Sequence, residues 1–206
     1  MAEGLAEALF QAVAVVLEAA APREIGNAHN VYIWGNQIMS VKFIKRLFRH
    51  LLVSPGAVQK QLPVQVMRNI EAAITKSESL HLGEICFVVE ANLHIIDLFR
   101  GKSAATRAIE TFSNFKVWDT EHNNGVLIYL LLADHDFEIL ADRGIHLRVG
   151  ATGWEAICKG MEARFRQGQF EAGIVEGIQK IGEQLEQHYP SQGKKPNELI
   201  NSPIII

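Results

Sequence analysis

The sequence lacks three features that mark large classes of proteins. It has two cysteines in 206 residues, too few for the disulfide framework of a small secreted domain. It has 20 Lys and Arg residues against 23 Asp and Glu residues, so it lacks the basic excess that binds nucleic acid. Polar residues interrupt its most apolar N-terminal stretch, residues 5–21, which would be costly in a bilayer. These absences predict a cytoplasmic protein that neither binds nucleic acid nor spans a membrane.

Motifs of several enzyme classes are also absent. No two of the eight histidines have the i, i+4 spacing of a zinc hydrolase helix, and no serine lies in a Gly-x-Ser-x-Gly turn. Residues 101–103 (Gly-Lys-Ser) resemble the end of a nucleotide-binding loop, but Ile96 stands where that loop requires glycine. Residues 134–136 (Asp-His-Asp) separate two apolar runs closely, which favours a hairpin turn over an aspartyl-phosphate nucleophile. We therefore expect no nucleotide cofactor.

What the sequence does contain is the composition of one globular domain. Hydrophobic residues make up 48% and charged residues 21%, close to the averages for folded proteins. The length allows one domain with a substantial core and appended helices, and it is too short to expect two full domains. Cys86 and Cys158 each lie in an apolar-periodic stretch, which favours buried structural thiols.

The first 38 residues differ in pattern from the rest of the chain. Residues 2–20 are rich in alanine and predict a helix, which an irregular stretch containing Tyr32 and Trp34 follows. A different pattern begins after Met39, which is a candidate for the natural start of the protein. Residues 1–38 are therefore predicted to be a helical N-terminal extension outside the core.

Residues 39–54 predict a basic amphipathic helix. Between Val41 and Leu52, apolar residues recur at helical spacing. Four cations accompany them: Lys42, Lys45, Arg46 and Arg49. Such a helix binds an anionic membrane surface or the groove of an unidentified protein partner, or it packs on its own domain with its cations in water. The pattern leaves these alternatives open.

Helix and strand patterns alternate through residues 63–190. Helices are predicted for residues 63–79, 103–115, 154–166 and 170–188, and apolar strands for residues 85–89, 126–132 and 137–141. Because apolar strands need cover on both faces, this order predicts an α/β fold. We expect a single small mixed sheet flanked by helices on both faces, with extra N-terminal helices. Residues 191–206 are polar and predict a disordered tail.

Three motifs resemble those of one known family. In residues 118–128 an Asn-Asn-Gly turn runs straight into an apolar strand, residues 141–145 (Ala-Asp-Arg-Gly-Ile) follow the third strand, and residues 165–174 join the last two helices. In this order and spacing they look like the motifs of the TPM domain family. The resemblance covers about residues 63–190.

The resemblance implies a sheet between helices, with an acidic, calcium-binding pocket at one end of the strands. It also implies one of two roles, since some members are described as acid phosphatases and others as assembly or repair factors of membrane complexes. Two segments depart from the family pattern. Asn123 stands where the family often has Asp, and residues 150–152 (Gly-Ala-Thr) replace an Asp-containing segment. The family's set of carboxylate ligands is therefore incomplete in this chain.

Oxygen-bearing side chains beside the last two strands are the candidate metal ligands. Asp119, Glu121 and Asn124 precede the second predicted strand, and Asp142 follows the third. If both loops lie at one sheet edge, these oxygens suit a hard cation, calcium or magnesium. The alternative is structural: Asp119 caps a turn, Asn124 supplies turn geometry, and Asp142 pairs with a neighbouring arginine.

Phosphatase chemistry would need donors for phosphoryl oxygens besides a cation. The candidates are Arg143, Arg148 and the backbone N–H groups of residues 152–154, and Asp119 and Asp142 are the further catalytic candidates. The leading hypothesis is a non-enzymatic assembly, repair or partner-binding factor with a divalent-cation site. It is motivated by the incomplete carboxylate set and the basic helix. The alternative is a cation-dependent phosphatase that hydrolyses phosphomonoesters.

Overall fold

The computed structural model describes residues 31–34, 37–54, 56–191, 193 and 196–206. The chain divides into two compact units between Val53 and Ser54. The helix predicted for residues 2–20 lies outside the described residues. Among the described residues, no helix combines the length and the apolar character that crossing a bilayer requires.

The first unit contains a β-hairpin followed by a helix. Strands β1 (Val31–Trp34) and β2 (Gln37–Ser40) pair antiparallel. The prediction of an irregular stretch around Tyr32 and Trp34 is therefore wrong. The run Val-Tyr-Ile-Trp consists of β-branched and aromatic residues, which favour a strand over a loop. Helix α1 (Val41–Leu52) follows, as its apolar spacing predicts.

The second unit contains six helices and four strands. In chain order they are α2 (Ala57–Gln61), α3 (Val64–Glu78), β3 (Glu84–Glu90), α4 (Ile95–Phe99), α5 (Ala104–Asn114), β4 (Gly125–Leu131), β5 (Asp136–Ala141), α6 (Arg143–Arg166), α7 (Phe170–His188) and β6 (Ile204–Ile205).

These four strands form one mixed sheet in the order β5-β4-β3-β6. Strands β3 and β4 pair in parallel, with Glu84 opposite Gly125 and Glu90 opposite Leu131. Strand β5 pairs antiparallel with β4, and β6 pairs in parallel with β3. The predicted α/β fold with a single mixed sheet is confirmed.

Both faces of the central strands are covered. All seven residues of β3 and all seven of β4 are buried. Side chains alternate between the faces of a strand, so Phe87 and Ile128 belong to the main core, which they share with residues of α3, α6 and α7. Tyr129 points to the opposite face, where its hydroxyl reaches Glu90 beneath Arg107 of α5. This arrangement explains why both strands are apolar without interruption.

Several predicted helix starts are confirmed by their caps. The hydroxyl of Ser103 accepts a hydrogen bond from the N–H of Thr106 at 3.1 Å, and Pro63 is the residue before the first turn of α3. The β4–β5 hairpin turns at the predicted Asp-His-Asp segment, where His135 adopts a left-handed φ of 53°. Helix α7 has the predicted bounds.

Helix α6 begins earlier than its sequence pattern predicts. We expected a start near Trp154, after Gly150 and Gly153, whereas the helix begins at Arg143. Gly150 has φ 72° and ψ 167°, so it kinks the helix within its length. Glycine with a positive φ commonly ends a helix, and here a second helical stretch begins directly after it.

Disorder was predicted for residues 191–206, and the structure differs from that prediction at Ile204 and Ile205. Ile204 and Ile205 form β6, which extends the sheet beside Val88 and Val89. The polar composition of residues 191–203 suggested disorder, but β-branched residues at the chain end favour pairing with a strand edge. The pairing is long-range and no local pattern announces it.

Candidate functional site

The loop before β4 and the start of α6 lie side by side at one end of the sheet. The backbone N–H of Asp142 donates to the carbonyl of Gly125 at 2.8 Å. The N–H of Ile145 donates to the carbonyl of Asn123 at 3.2 Å. The candidate ligands Asn124 and Asp142 therefore come from adjoining stretches of backbone.

Two glycines allow tight backbone packing here. A Cβ atom on Gly144 would lie 2.5 Å from the carbonyl oxygen of Asn123, so a larger residue there would force the start of α6 away from the loop. A Cβ atom on Gly125 would overlap the carbonyl oxygen of Val117, so a larger residue there would push the start of β4 away from the residues that precede it. The glycines of both motifs thus have a packing role at the site.

Asn124 is fully buried and its side chain is unsatisfied. Its backbone N–H donates to the hydroxyl of Thr120 at 3.0 Å, which closes the loop, and the preceding Asn123 has a left-handed φ of 52°. Asparagine adopts that conformation more readily than most residues. The Oδ1 and Nδ2 atoms of Asn124 have no hydrogen-bond partner among the described residues. Because a buried amide without partners is costly, this side chain marks a place for a ligand or an ordered water.

Asp142 has one oxygen engaged and one free. It is the N-cap of α6, and its Oδ1 accepts a hydrogen bond from the N–H of Arg143 at 2.6 Å. Its Oδ2 is buried and has no hydrogen-bond partner among the described residues. One oxygen therefore stabilises the helix start while the other is available to a ligand.

The other two predicted ligands are placed differently. Asp119 and Glu121 lie in the same loop as Asn124, and both are exposed. Neither side chain makes a hydrogen bond or ion pair to a described residue. In the described part of the chain, no three His, Cys, Asp or Glu side chains converge where they could hold a metal ion. Ligation by all four residues stays a prediction.

The predicted phosphate donors lie along α6. Arg143 is exposed beside Asp142. The guanidinium carbon of Arg148 instead lies 5.1 Å from the ring centre of Tyr189, and His122 stacks on that ring with the two centroids 6.4 Å apart. Residues 152–154 follow the Gly150 kink inside α6.

Comparison with known proteins identifies the family. A family profile described as the TPM domain matches residues 59–184. The chain belongs to the TPM domain family. It is similar to the BA42 protein of the psychrophilic bacterium Bizionia argentinensis, whose structure was solved by NMR. The two are 31% identical and the TM-score is 0.63, over 70% of this chain and 94% of BA42. A search of curated proteins found no match.

The residues of this TPM domain fit a hard cation in part. Calcium takes roughly six to eight oxygen ligands and magnesium about six. Asn124 Oδ1 and Asp142 Oδ2 are of the right chemical kind, and both are buried without a hydrogen-bond partner in the part of the chain that the structure describes. The remaining ligands would have to come from the exposed Asp119 and Glu121, from water, or from a bound molecule.

Sequence reasoning missed the C-terminal contacts of this TPM domain. The backbone N–H of Glu121 donates to the carboxylate of Glu198, at 3.2 Å to Oε1. The N–H of Leu199 donates to Oε2 of Glu84 at 3.2 Å. Glu84 lies opposite Gly125 in the sheet, so the C-terminal segment passes the same end of the strands as the candidate ligands.

A buried polar cluster occupies the opposite end of the parallel strands. The hydroxyl of Tyr129 donates to Oε2 of Glu90 at 2.6 Å. Arg107 donates to both oxygens of Glu90, from Nε at 2.8 Å and from Nη2 at 3.2 Å. Burial, followed by the hydrogen bond to Glu90, raises the pKa of Tyr129. All its polar groups are paired, so this cluster fastens α5 to the sheet and leaves no group for a ligand.

Both thiols of this TPM domain are unsuited to nucleophilic catalysis. Burial, and to a smaller extent the charge of Glu78, raises the pKa of Cys86 to about 12. Burial also raises the pKa of Cys158. A thiol that stays protonated at neutral pH is a weak nucleophile.

Proposed function

We propose that this TPM domain is a non-enzymatic assembly, repair or partner-binding factor that binds a divalent cation at Asn124 and Asp142. The observation that carries the proposal is the pair of buried oxygens, Asn124 Oδ1 and Asp142 Oδ2, that lack hydrogen-bond partners among the described residues. Such oxygens are preferred ligands of calcium and magnesium.

The incomplete ligand set favours binding over catalysis. Two buried oxygens leave most positions of a calcium or magnesium ion open. A carboxylate or a carbonyl of a partner protein can fill those positions, so the ion would join the two proteins. The one hydroxyl of residues 116–124, that of Thr120, is buried and accepts the N–H of Asn124, so it is not available as a nucleophile.

Calorimetric titration with calcium and with magnesium tests the site. We expect the unaltered chain to bind at least one of the two ions. Asp142→Asn should weaken binding by about tenfold or more, because an amide replaces a charged ligand. Asparagine is as good an N-cap as aspartate, so this variant keeps the start of α6. Asn124→Ala should weaken binding as well.

Matched variants of the exposed residues resolve the rest of the ligand set. Asp119→Asn and Glu121→Gln each remove one charge without changing the shape of the loop. If either weakens binding as Asp142→Asn does, that residue is a ligand. Binding that is unaffected by both Asp142→Asn and Asn124→Ala would refute the proposed site, as would a chain that binds neither ion.

A cation-dependent phosphatase is the second candidate function. It is favoured by Arg143, an exposed residue that follows Asp142 in the chain and forms no ion pair with a described acidic group. An arginine in that position can donate two hydrogen bonds to a phosphate. Turnover of 4-nitrophenyl phosphate with each cation, across pH 4 to 9, separates the two functions.

The non-enzymatic proposal predicts no turnover above buffer. The phosphatase candidate predicts turnover that Arg143→Met abolishes and Arg166→Met leaves intact. Arg166 is a suitable control because it is exposed and bonds to Glu162 within its own helix. Turnover that survives Arg143→Met would remove this arginine from the candidate centre.

Helix α1 is the proposed contact with a partner protein or with an anionic membrane surface. Lys42, Lys45 and Arg49 recur at helical spacing along it, so their charges share one side. Flotation with vesicles of acidic lipid tests the membrane contact. We expect flotation with acidic lipid at low salt and none with neutral lipid. Lys42→Glu with Lys45→Glu should abolish it.

A further inference from the structure

The C-terminal residues 196–206 lie beyond the family match, which ends at residue 184. Their last strand, β6, covers the outer edge of β3 through two residue pairs, Val88 with Ile204 and Val89 with Ile205. One further hydrogen bond, from the N–H of Ile206 to the carbonyl of Val89 at 3.0 Å, ends the contact. A segment outside the family match therefore covers this part of the edge of the sheet.

The segment is held by few contacts, and most of them are exposed. Ile205 keeps 48% and Ile206 38% of its surface in solvent. Upstream of β6, Asn201 donates to the hydroxyl of Thr75 at 3.2 Å on the surface. Leu199 contacts Glu84 through its N–H at 3.2 Å. The Asn201–Thr75 hydrogen bond is exposed and contributes little, whereas the Leu199 hydrogen bond ends on the buried carboxylate of Glu84, so the part of the segment upstream of β6 is held mainly at Leu199.

Strand β3 is a different kind of element. Every one of its seven residues is buried, and its other side pairs with β4 along its full length. If β6 leaves, β3 becomes the edge of the sheet with unpaired backbone groups. Such an edge binds extended peptides by adding them as a strand.

The same segment also touches the candidate site. Glu198 accepts the N–H of Glu121, which lies in the loop that carries Asn124. Residues 196–206 therefore connect the outer edge of β3 to the loop that carries Glu121 and Asn124. If β6 no longer pairs with β3, Glu198 and Leu199 lose the strand pairing that holds the chain a few residues after them.

We propose that the outer edge of β3 is a strand-addition site, occupied in this chain by its own residues 196–206. An extended, β-branched peptide of another protein displaces them by pairing in parallel with Val88 and Val89. Displacement frees the loop at Glu121 from Glu198. The consequence for cation binding rests on the proposed function, whereas the strand exchange does not.

A labelled synthetic peptide with the sequence of residues 196–206 tests the exchange, using the full chain without added cation. Ile204→Asp places a charge in β6, which pairs with β3 through two residues. Ile200→Asp is the matched control, because Ile200 is 65% exposed and lies outside β6. Hydrogen exchange reports whether the segment is released.

We expect the Ile204→Asp chain to bind the peptide about tenfold or more tightly than the unaltered chain, since the tethered segment competes at millimolar effective concentration. The Ile200→Asp chain should behave like the unaltered chain. Exchange at the N–H groups of Ile206 and Glu121 should accelerate together in Ile204→Asp alone.

Three results would overturn the proposal. One is faster exchange at Ile206 without peptide binding, because the edge would then be open and unoccupied. Another is unchanged exchange at Ile206 in Ile204→Asp, because β6 would then not be what holds the segment. The last is faster exchange at the N–H of Ile206 while the N–H of Glu121 still exchanges slowly. Release of β6 would then leave the Glu121–Glu198 hydrogen bond in place. None of these results depends on whether the chain binds a cation.

Discussion

Replacing Tyr129 with phenylalanine removes one hydroxyl from the buried end of β4 and leaves the ring in place. That hydroxyl donates to Glu90 at 2.6 Å, and Tyr129 is fully buried. A hydrogen bond to a charged group contributes about 1.5–3 kcal/mol. Glu90 keeps its two hydrogen bonds from Arg107, so no carboxylate oxygen is left bare. We therefore expect a loss near the middle of that range, about 2 kcal/mol of unfolding free energy.

Urea denaturation at pH 7 measures this loss. For a chain of this size it corresponds to a fall in Tm of about 4–8 °C. Tyr189→Phe is the matched control, because the Tyr189 hydroxyl makes no hydrogen bond to a described residue. It should change the unfolding free energy by less than about 0.5 kcal/mol. Equal effects of the two substitutions would refute the role assigned to the Tyr129–Glu90 hydrogen bond.

The difference in unfolding free energy between wild type and Tyr129→Phe should also depend on pH. Burial raises the pKa of Tyr129 in the folded state, whereas an unfolded tyrosine titrates near pH 10. Above pH 10 the unfolded chain loses a proton that the folded chain keeps, so the stabilising contribution of Tyr129 is complete below pH 10 and declines above it. Between pH 9 and pH 11 the difference between wild type and Tyr129→Phe should narrow by about 1.4 kcal/mol. A constant difference would contradict the burial of this hydroxyl.

Two further predictions concern the packing of the site and the thiols. Gly125→Ala should lower the unfolding free energy by about 3 kcal/mol in urea, because its Cβ would overlap the carbonyl of Val117, whereas Gly160→Ala in the open middle of α6 should raise it by about 0.5–1 kcal/mol. Similar effects at both glycines would show that the loop tolerates the added atom. In iodoacetamide labelling at pH 8 followed by mass spectrometry, Cys86 should stay unmodified in the folded chain and react only in urea, because its pKa of about 12 leaves about one thiolate in ten thousand. Labelling of Cys86 at the rate of an exposed thiol would contradict its burial.

The core of the fold could be predicted because its signals are local. Strands β3 and β4 are continuous apolar runs, and a run covered on both faces has no polar side to interrupt it. The start of α5 follows from Ser103, whose hydroxyl bonds within the first turn. Such features depend on residues a few positions apart, so one sequence displays them.

The missed features depend on contacts between distant residues. Leu199 reaches Glu84 across 115 positions of sequence, and nothing near either residue indicates the pairing. The early start of α6 was missed because the helical stretch before Gly150 is short, and Gly150 interrupts it with a non-helical φ of 72° and ψ of 167°. Local propensity is a weak guide where tertiary contacts decide the path.

The candidate site lies between these cases. Sequence reasoning named Asn124 and Asp142 as ligands on the condition that their loops lie at one end of the sheet. It could not show that the Asn124 side chain has no hydrogen-bond partner among the described residues, or that Asp142 uses one oxygen to cap α6 and leaves the other without a described partner. Those properties depend on the close approach of the loop and α6 at Gly144, which is a property of the folded backbone.

Backbone amide shifts during a calcium titration would locate a divalent cation bound by Asn124 and Asp142. We expect the largest shifts in residues 123–125 and 142–145, while the amides of α3 stay unchanged. Saturation with calcium that leaves residues 123–125 and 142–145 unshifted, or that shifts a different acidic surface instead, would contradict it.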